Sequence, residues 1–266
     1  MMQYTRDPFG VTFQKPARTI GSWKEEIYAA ARTIAGRSTK PLWVLTNGGV
    51  MGEIMCRAFV EQDIHVSIVT MVTGPEQEAR TTAFRQWCKD KRVPYETVLF
   101  DADYFYNHYI PQCIGNGVHA RRVQTYFKKY LLDEVDARGG TAVLGGGALH
   151  FRTDDRGVHV VYDTDELIFA DVQHERYFFA TTPELLHAYL DDPLVAAACL
   201  RSDVFRVPES ARYLRALVAR SAWPLISANR KMSFYDTALQ RFKNASALLA
   251  DHSYEEVRVS LDELRR

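Results

Sequence analysis

A glycine-rich segment of the chain carries residue types that can hold an anion. Residues 47–52 read NGGVMG and join the apolar run 41–46 to a segment whose apolar residues recur at helical spacing. Glycines let the backbone turn tightly and approach a ligand, and the free N–H groups of the following helix point to the same place. The positive end of the helix dipole adds to the attraction. The segment therefore predicts a seat for a phosphate group, and a tight strand-to-helix turn without a ligand is the alternative.

The elements that must position this segment alternate between helix and strand. Ser22 and Glu25 form an S-x-x-E capping box, which predicts that a helix begins at Trp23. Strand-like apolar runs occupy residues 41–46, 64–72, 95–101 and 141–145, and helical patterns occupy 54–59, 79–88 and 118–138. Strands that alternate with helices form a mostly parallel, doubly wound sheet. The sequence thus predicts an α/β fold of the Rossmann-like kind.

The pattern changes after this alternation. Residues 149–153 and 158–162 flank a turn as the strands of a hairpin do, and the chain is largely helical from Pro183 onward. We therefore expect a hairpin and helical appendage after the sheet. The predicted divisions are an N-terminal arm (1–20), an α/β domain (21–150) and a mixed C-terminal region (151–266).

The glycine segment is neither a Walker A loop, which needs a Lys-Ser/Thr pair, nor the G-x-G-x-x-G dinucleotide fingerprint. It resembles the PP-loop of the adenine-nucleotide α-hydrolase-like (HUP-like) superfamily, in which S-G-G-x-D-S follows the first strand of a doubly wound sheet. Members of that superfamily split ATP between its α and β phosphates. The order of elements over roughly residues 20–150 is also similar to that of small relatives encoded by phages.

The resemblance implies a site for an adenine nucleotide, ATP or AMP, between two glycine turns. The second turn, at residues 145–147, is similar to the family's later strand end, which lies beside the nucleotide. The implied nucleotide-binding residues are Asn47, Gly48, Gly49, Val50, Gly52, Gly145 and Gly146.

Three positions depart from the PP-loop pattern, although both glycines are present. Asn47 replaces the first serine, Met51 the aspartate and Gly52 the second serine. In the family the aspartate helps to hold the magnesium ion that neutralises the pyrophosphate, and a thioether is a poor ligand for that hard cation. Phosphoryl chemistry without charge neutralisation loses its largest catalytic contribution. The departures predict weakened or lost cleavage; no catalytic residue and no metal site are assigned, and a magnesium requirement is left open.

Three acids are candidates to replace the missing aspartate. Glu53 lies further along the predicted helix, about 200° round its axis from the aspartate position, and Asp101 and Asp103 follow the third strand-like run. The aromatic residues between 104 and 109 come next in the chain. Such a cluster forms core or protein contacts, or offers a stacking surface to an adenine ring.

Three functions are compatible with these residues. The first is a degenerate PP-loop protein, a pseudoenzyme that binds an adenine nucleotide or a phosphate group. The second is a catalytically silent scaffold, for example a phage structural or host-interaction protein. The third is an active ATP-dependent adenylating enzyme with replaced metal ligands.

The composition limits the classes of partner. Thirty-three basic residues balance 33 acidic ones, so no net positive charge attracts nucleic acid or an anionic membrane. The chain has neither a long apolar run nor the apolar region of a secretion signal at its start, so we expect a cytoplasmic protein. If a phage encodes it, the compartment is the host cell or the virion.

The four cysteines lack C-x-x-C spacing and are expected to be free thiols. A small-molecule nucleotide is the expected partner, and a protein partner or a homo-oligomer is also compatible.

Overall fold

The structure, a computed structural model, describes most of the chain. The described residues are 2–3, 12–13, 15–72, 74–118, 120, 123–145, 149–154, 157–163, 178–200, 208–226 and 256–260. The described helices are α1 (Trp23–Arg37), α2 (Val50–Val60), α3 (Pro75–Asp90), α4 (Ala102–Tyr104), a π-helix (Phe105–Tyr109), α5 (Ile110–Gly115), α6 (Val123–Ala137), a 3-10 turn (Phe178–Ala180), α7 (Pro183–Leu190), α8 (Pro193–Cys199) and α9 (Pro208–Ala222). The described strands are β1 (Met2–Gln3), β2 (Thr12–Phe13), β3 (Leu42–Leu45), β4 (Ser67–Val72), β5 (Tyr95–Leu99), β6 (Thr141–Leu144), β7 (Leu149–Asp154), β8 (Gly157–Asp163) and β9 (Glu256–Ser260). None of these helices combines the length and apolar character that a membrane crossing requires.

A four-stranded parallel sheet is central to the α/β part of the chain. Its strand order is β5-β4-β3-β6, and every neighbouring pair is parallel. All residues of β3 and β6 are buried, as in parallel sheets that are covered on both faces. The predicted α/β fold with a doubly wound, mostly parallel sheet is confirmed.

The two faces of the sheet enter separate hydrophobic cores. In β3, Leu42 and Val44 pack with α1, α2 and α3, whereas Trp43 and Leu45 pack with the π-helix, α5 and α6. This alternation follows from the two-residue period of a strand. The core on the α1 side is tightly closed: Ile27 has no exposed surface, and burying such a side chain contributes roughly 1.5–3 kcal/mol.

Helix α1 begins where the capping box predicts. Glu25 N donates to Ser22 Oγ over 3.3 Å, and Ser22 N donates to the Glu25 carboxylate over 2.7 Å. The segment before helix α6, in contrast, departs from the pattern: Val118 and Ala120 lie outside the helix, which is described as Val123–Ala137. The Tyr126 hydroxyl explains part of the difference, because it accepts from Ala120 N and donates to Val118 O. These two hydrogen bonds satisfy backbone groups of the segment that precedes the helix.

The C-terminal helices share the core on the α1 side of the sheet. Helices α7, α8 and α9 contribute buried side chains to the same cluster as α1 and α2. The ring of Trp23 lies 5.6 Å from that of Tyr189 and 6.0 Å from that of Trp223, centroid to centroid. Aromatic pairs at these separations add to the stability that area burial gives. The helical part of the C-terminal region is therefore packed directly on the helices that flank the sheet.

The predicted hairpin is present, and it has a third strand that the pattern did not predict. β7 and β8 pair antiparallel, with Leu149 opposite Tyr162. β9 then pairs antiparallel with β8, although this part of the chain was expected to be helical. Five residues give too short a window for the two-residue alternation to be distinguished from a helical pattern.

The cysteines are free, as their spacing predicts. Burial raises the pKa of Cys56 well above its usual value and that of Cys88 to about 12. Both thiols are therefore protonated at neutral pH, and they act as small apolar groups in the core.

Candidate functional site

The glycine segment lies at the switch point of the sheet. From β3 the chain proceeds through β4 to β5 on one side, and β6 returns to the other side of β3. Open α/β sheets bind ligands at the carboxyl ends of the strands where the order reverses in this way. The register pairs Leu45 with Leu144, so Thr46 and Gly145 leave the sheet side by side. The structure thus places Gly145 beside the first glycine turn, while Gly146 lies outside the described residues.

The backbone of the glycine turn is bonded partly to its own side chains. Gly48 has a φ of 75°, a conformation that favours glycine. Its amide donates to Thr46 Oγ1 over 3.1 Å, and the Gly49 amide donates to Asn47 Oδ1 over 3.0 Å. Two of the amides that the sequence assigned to a ligand therefore already have an intramolecular acceptor.

The first turn of α2 supplies the remaining donors. Gly49 is the N-cap residue and makes no side-chain capping bond. The amides of Val50, Met51 and Gly52 come before the first residue whose N–H has an acceptor in the helix, Glu53, which donates to Gly49 O over 3.0 Å. The Met51 side chain packs on the core around α1. These three amides, with the helix dipole behind them, form the part of the site that can hold an anion.

Close packing explains why glycine is required at several positions. A Cβ on Gly52 would lie 1.8 Å from Thr46 Oγ1, and a Cβ on Gly48 would lie 2.8 Å from Thr81 Cγ2. A Cβ on Gly145 would lie 2.6 Å from Met55 Cε, the end of a flexible side chain that can move aside, so glycine is less strictly required there. The serine that the PP-loop pattern has at position 52 does not fit here, because the Thr46 hydroxyl occupies its space.

Three threonines support the glycine turn, and the sequence reasoning missed them. The Thr70 hydroxyl donates to Thr46 O, and the methyl group of Thr81 lies beside Gly48. Thr46, Thr70 and Thr81 are all buried. Threonine is common in strands because it is β-branched, so Thr46 and Thr70 carry no signal beyond the strand pattern.

Two of the three acids proposed as replacement ligands are engaged elsewhere. The Glu53 side chain has no exposed surface; it accepts from Arg57 Nε over 2.8 Å and from Ile226 N over 3.0 Å. Glu53 therefore anchors α2 to the segment after α9 and does not replace the missing aspartate. Asp101 caps α4 by accepting from Tyr104 N over 3.0 Å, and Asp103 is exposed. Within the described part of the chain, no three His, Cys, Asp or Glu side chains come together as metal ligands would.

The aromatic cluster after β5 belongs mainly to the core. Phe105 is 1% exposed and stacks on Phe127 with ring centroids 4.5 Å apart. Tyr109 is also buried, and Tyr104 is 44% exposed. Most rings of this cluster therefore form core contacts, which is one of the two roles that the sequence allowed.

Comparisons with known proteins give only distant similarity. No protein-family model matches the chain, and no curated protein matches it. The structure is similar to that of the U34-tRNA thiolase NcsA from Methanococcus maripaludis with its 4Fe-4S cluster, at 14% identity and a TM-score of 0.36 over 92% of this chain and 91% of that chain. It is also similar to the NH3-dependent NAD synthetase from Campylobacter jejuni in complex with the nitrate ion, at 11% identity and a TM-score of 0.36 over 88% of this chain and 99% of that chain.

Proposed function

We propose that this chain binds an adenine nucleotide or another phosphate compound at the switch point between β3 and β6. The observation that carries the proposal is the strand order, which brings Gly145 beside the glycine turn after β3, at the carboxyl edge of a parallel sheet. The donors are the amides of Val50, Met51 and Gly52 in the first turn of α2.

The site favours binding over cleavage. Met51 stands where the PP-loop pattern has its aspartate, and its thioether packs on the core. The Glu53 carboxylate is used by Arg57 and Ile226. Phosphoryl transfer needs the charge on the transferred group to be neutralised, usually by a metal ion. Neither Met51 nor Glu53 offers a free carboxylate to hold such an ion. We therefore propose that α–β phosphate cleavage is weakened or lost, with ATP or AMP as the expected ligand.

A silent scaffold is the second candidate, and one observation favours it. The Gly48 and Gly49 amides are bonded to Thr46 and Asn47, so the turn is stable without a ligand. On this alternative the glycines are needed only because Thr46 and Thr81 pack too closely against them to leave room for a side chain.

Isothermal titration calorimetry separates the two candidates. We expect ATP, ADP, AMP or pyrophosphate to release heat that saturates at one ligand per chain, because uncapped amides at a helix N-terminus gain bonds to phosphate oxygens. Each titration is repeated with and without magnesium chloride, and product analysis by phosphorus NMR follows any cleavage. Absence of saturable heat with all four ligands would favour the scaffold.

A further inference from the structure

A cleft lies on the opposite face of the sheet from α2. It has a volume of about 340 Å³ and opens between the segment 104–118 and helix α6. The side chains that the argument uses are Tyr104, Gln112, Asn116, Tyr130 and Glu134. Helix α2 packs in the other core, so this cleft is separate from the proposed phosphate site.

The π-helix shapes one wall of the cleft. Residues Phe105–Tyr109 form this wider turn, a feature often found where a helix serves a function. Phe105 and Tyr109 stack on each other at 5.6 Å, and Tyr109 lies edge-on to Tyr130 at 4.9 Å. The buried rings fix the wall, while the ring of Tyr104 remains 44% exposed.

The charges that line the cleft are acidic on balance. Asp133 accepts from the Tyr109 hydroxyl over 2.6 Å and pairs with Lys129, which neutralises that cation. Glu134 is bonded through Oε2 to Arg138, over 2.8 Å. Arg138 Nε also donates to Glu96 Oε2 over 3.1 Å, and its guanidinium lies over the ring of Trp43, so this one cation is shared between two carboxylates. Burial raises the pKa of Tyr130, and the negative charge of Glu134 raises it further.

We propose that this cleft binds a small organic cation that carries a guanidinium or primary ammonium group. The rings of Tyr104 and Tyr130 line the cleft, and an aromatic ring attracts a cation through its quadrupole; Glu134 adds a carboxylate. The side-chain carbonyls of Gln112 and Asn116 are further acceptors in the lining. A volume of about 340 Å³ lies within the range of small-molecule sites. An anion is disfavoured because Lys129 is paired with Asp133, whereas Glu134 shares Arg138 with Glu96, so the surroundings of the cleft keep a net negative charge.

Ligand-observed NMR with two nearly isosteric probes tests this proposal. We expect n-butylguanidinium to bind the whole chain saturably, and n-butylurea, which has the same shape without the charge, to bind at least about fivefold more weakly. Glu134→Gln and Tyr104→Leu should each weaken n-butylguanidinium about fivefold, since one removes the carboxylate and the other an exposed ring. Asp103→Asn is the matched control, an exposed acid that does not line the cleft, and it should leave the affinity unchanged.

Two results would overturn the proposal. One is an equal affinity for the charged and the neutral probe, which would mean that the cleft recognises shape and not charge. The other is an absence of saturable n-butylguanidinium binding by the wild-type chain whose circular dichroism shows it to be folded. Because Glu134 and Tyr104 are at least partly exposed, their variants are expected to fold, and a thermal melt of each verifies it. Phosphate binding at α2 should be unaffected, so the two sites are tested independently.

Discussion

Replacing Glu53 with glutamine is expected to lower the free energy of unfolding by about 3 kcal/mol. The change removes one charge of a buried pair and leaves Arg57, whose side chain is 10% exposed, without its closest partner. Breaking a buried ion pair on one side typically costs about 3–5 kcal/mol. The lower end applies because Arg57 keeps Glu61 at 3.7 Å and the ring of Trp87. Urea unfolding followed by tryptophan fluorescence measures the loss.

Two further variants make this prediction specific to the buried charge. Glu78→Gln, which removes an acid from the exposed contact with Arg85, should cost no more than about 0.5 kcal/mol. Replacing both Glu53 and Arg57 with leucine should recover much of the loss, because no uncompensated charge remains. A Glu53→Gln variant as stable as the wild type would mean that the buried charge of Glu53 does not stabilise the fold.

Replacing Gly48 with valine is expected to weaken nucleotide binding by about ten- to a hundredfold. At a φ of 75°, a β-branched residue is strained, and its Cβ would meet Thr81 Cγ2 at 2.8 Å. Strain and overpacking of this kind cost roughly 1–3 kcal/mol, and the turn relieves them by moving away from the first turn of α2. Calorimetry with the tightest of the four ligands measures the change in affinity.

The matched control is a glycine at the start of the neighbouring helix. Gly74 is the N-cap of α3, has an extended backbone, and has open space where a Cβ would be added. Gly74→Ala should therefore keep the affinity within about twofold. If Gly48→Val remains folded and binds as tightly as the wild type, the glycine turn does not contribute to the site.

The sequence predicts the sheet well because its signals are local. The capping box at Ser22 and the apolar run around Val44 are read within a few residues, and both are confirmed. The alternation of strands with helices predicts a mostly parallel sheet, whereas the order of its strands comes from the structure. The position of Gly145 beside Thr46 is a consequence of that order.

What the sequence could not predict depends on contacts between distant residues. One partner of Glu53, Ile226 N, lies 173 residues further along the chain, so the sequence around Glu53 shows its spacing to Arg57 but not its bond to the segment after α9. Gly52 is close to Thr46 in the sequence, yet it reads as a lost serine, because only the folded turn shows the Thr46 hydroxyl in the space of a side chain. The π-helix was also hidden, because Phe105 and Tyr109 are spaced as in an ordinary helix face.

The most direct measurement of the central claim is an amide NMR titration of the folded chain with ADP. We predict saturable shifts centred on the amides of Val50, Met51 and Gly52, because these N–H groups would donate to the phosphate oxygens. Pyrophosphate should shift the same amides, and adenosine, which has no phosphate, should not. Shifts that never saturate, or that saturate only at residues away from the start of α2, would contradict an anion site at this edge of the sheet.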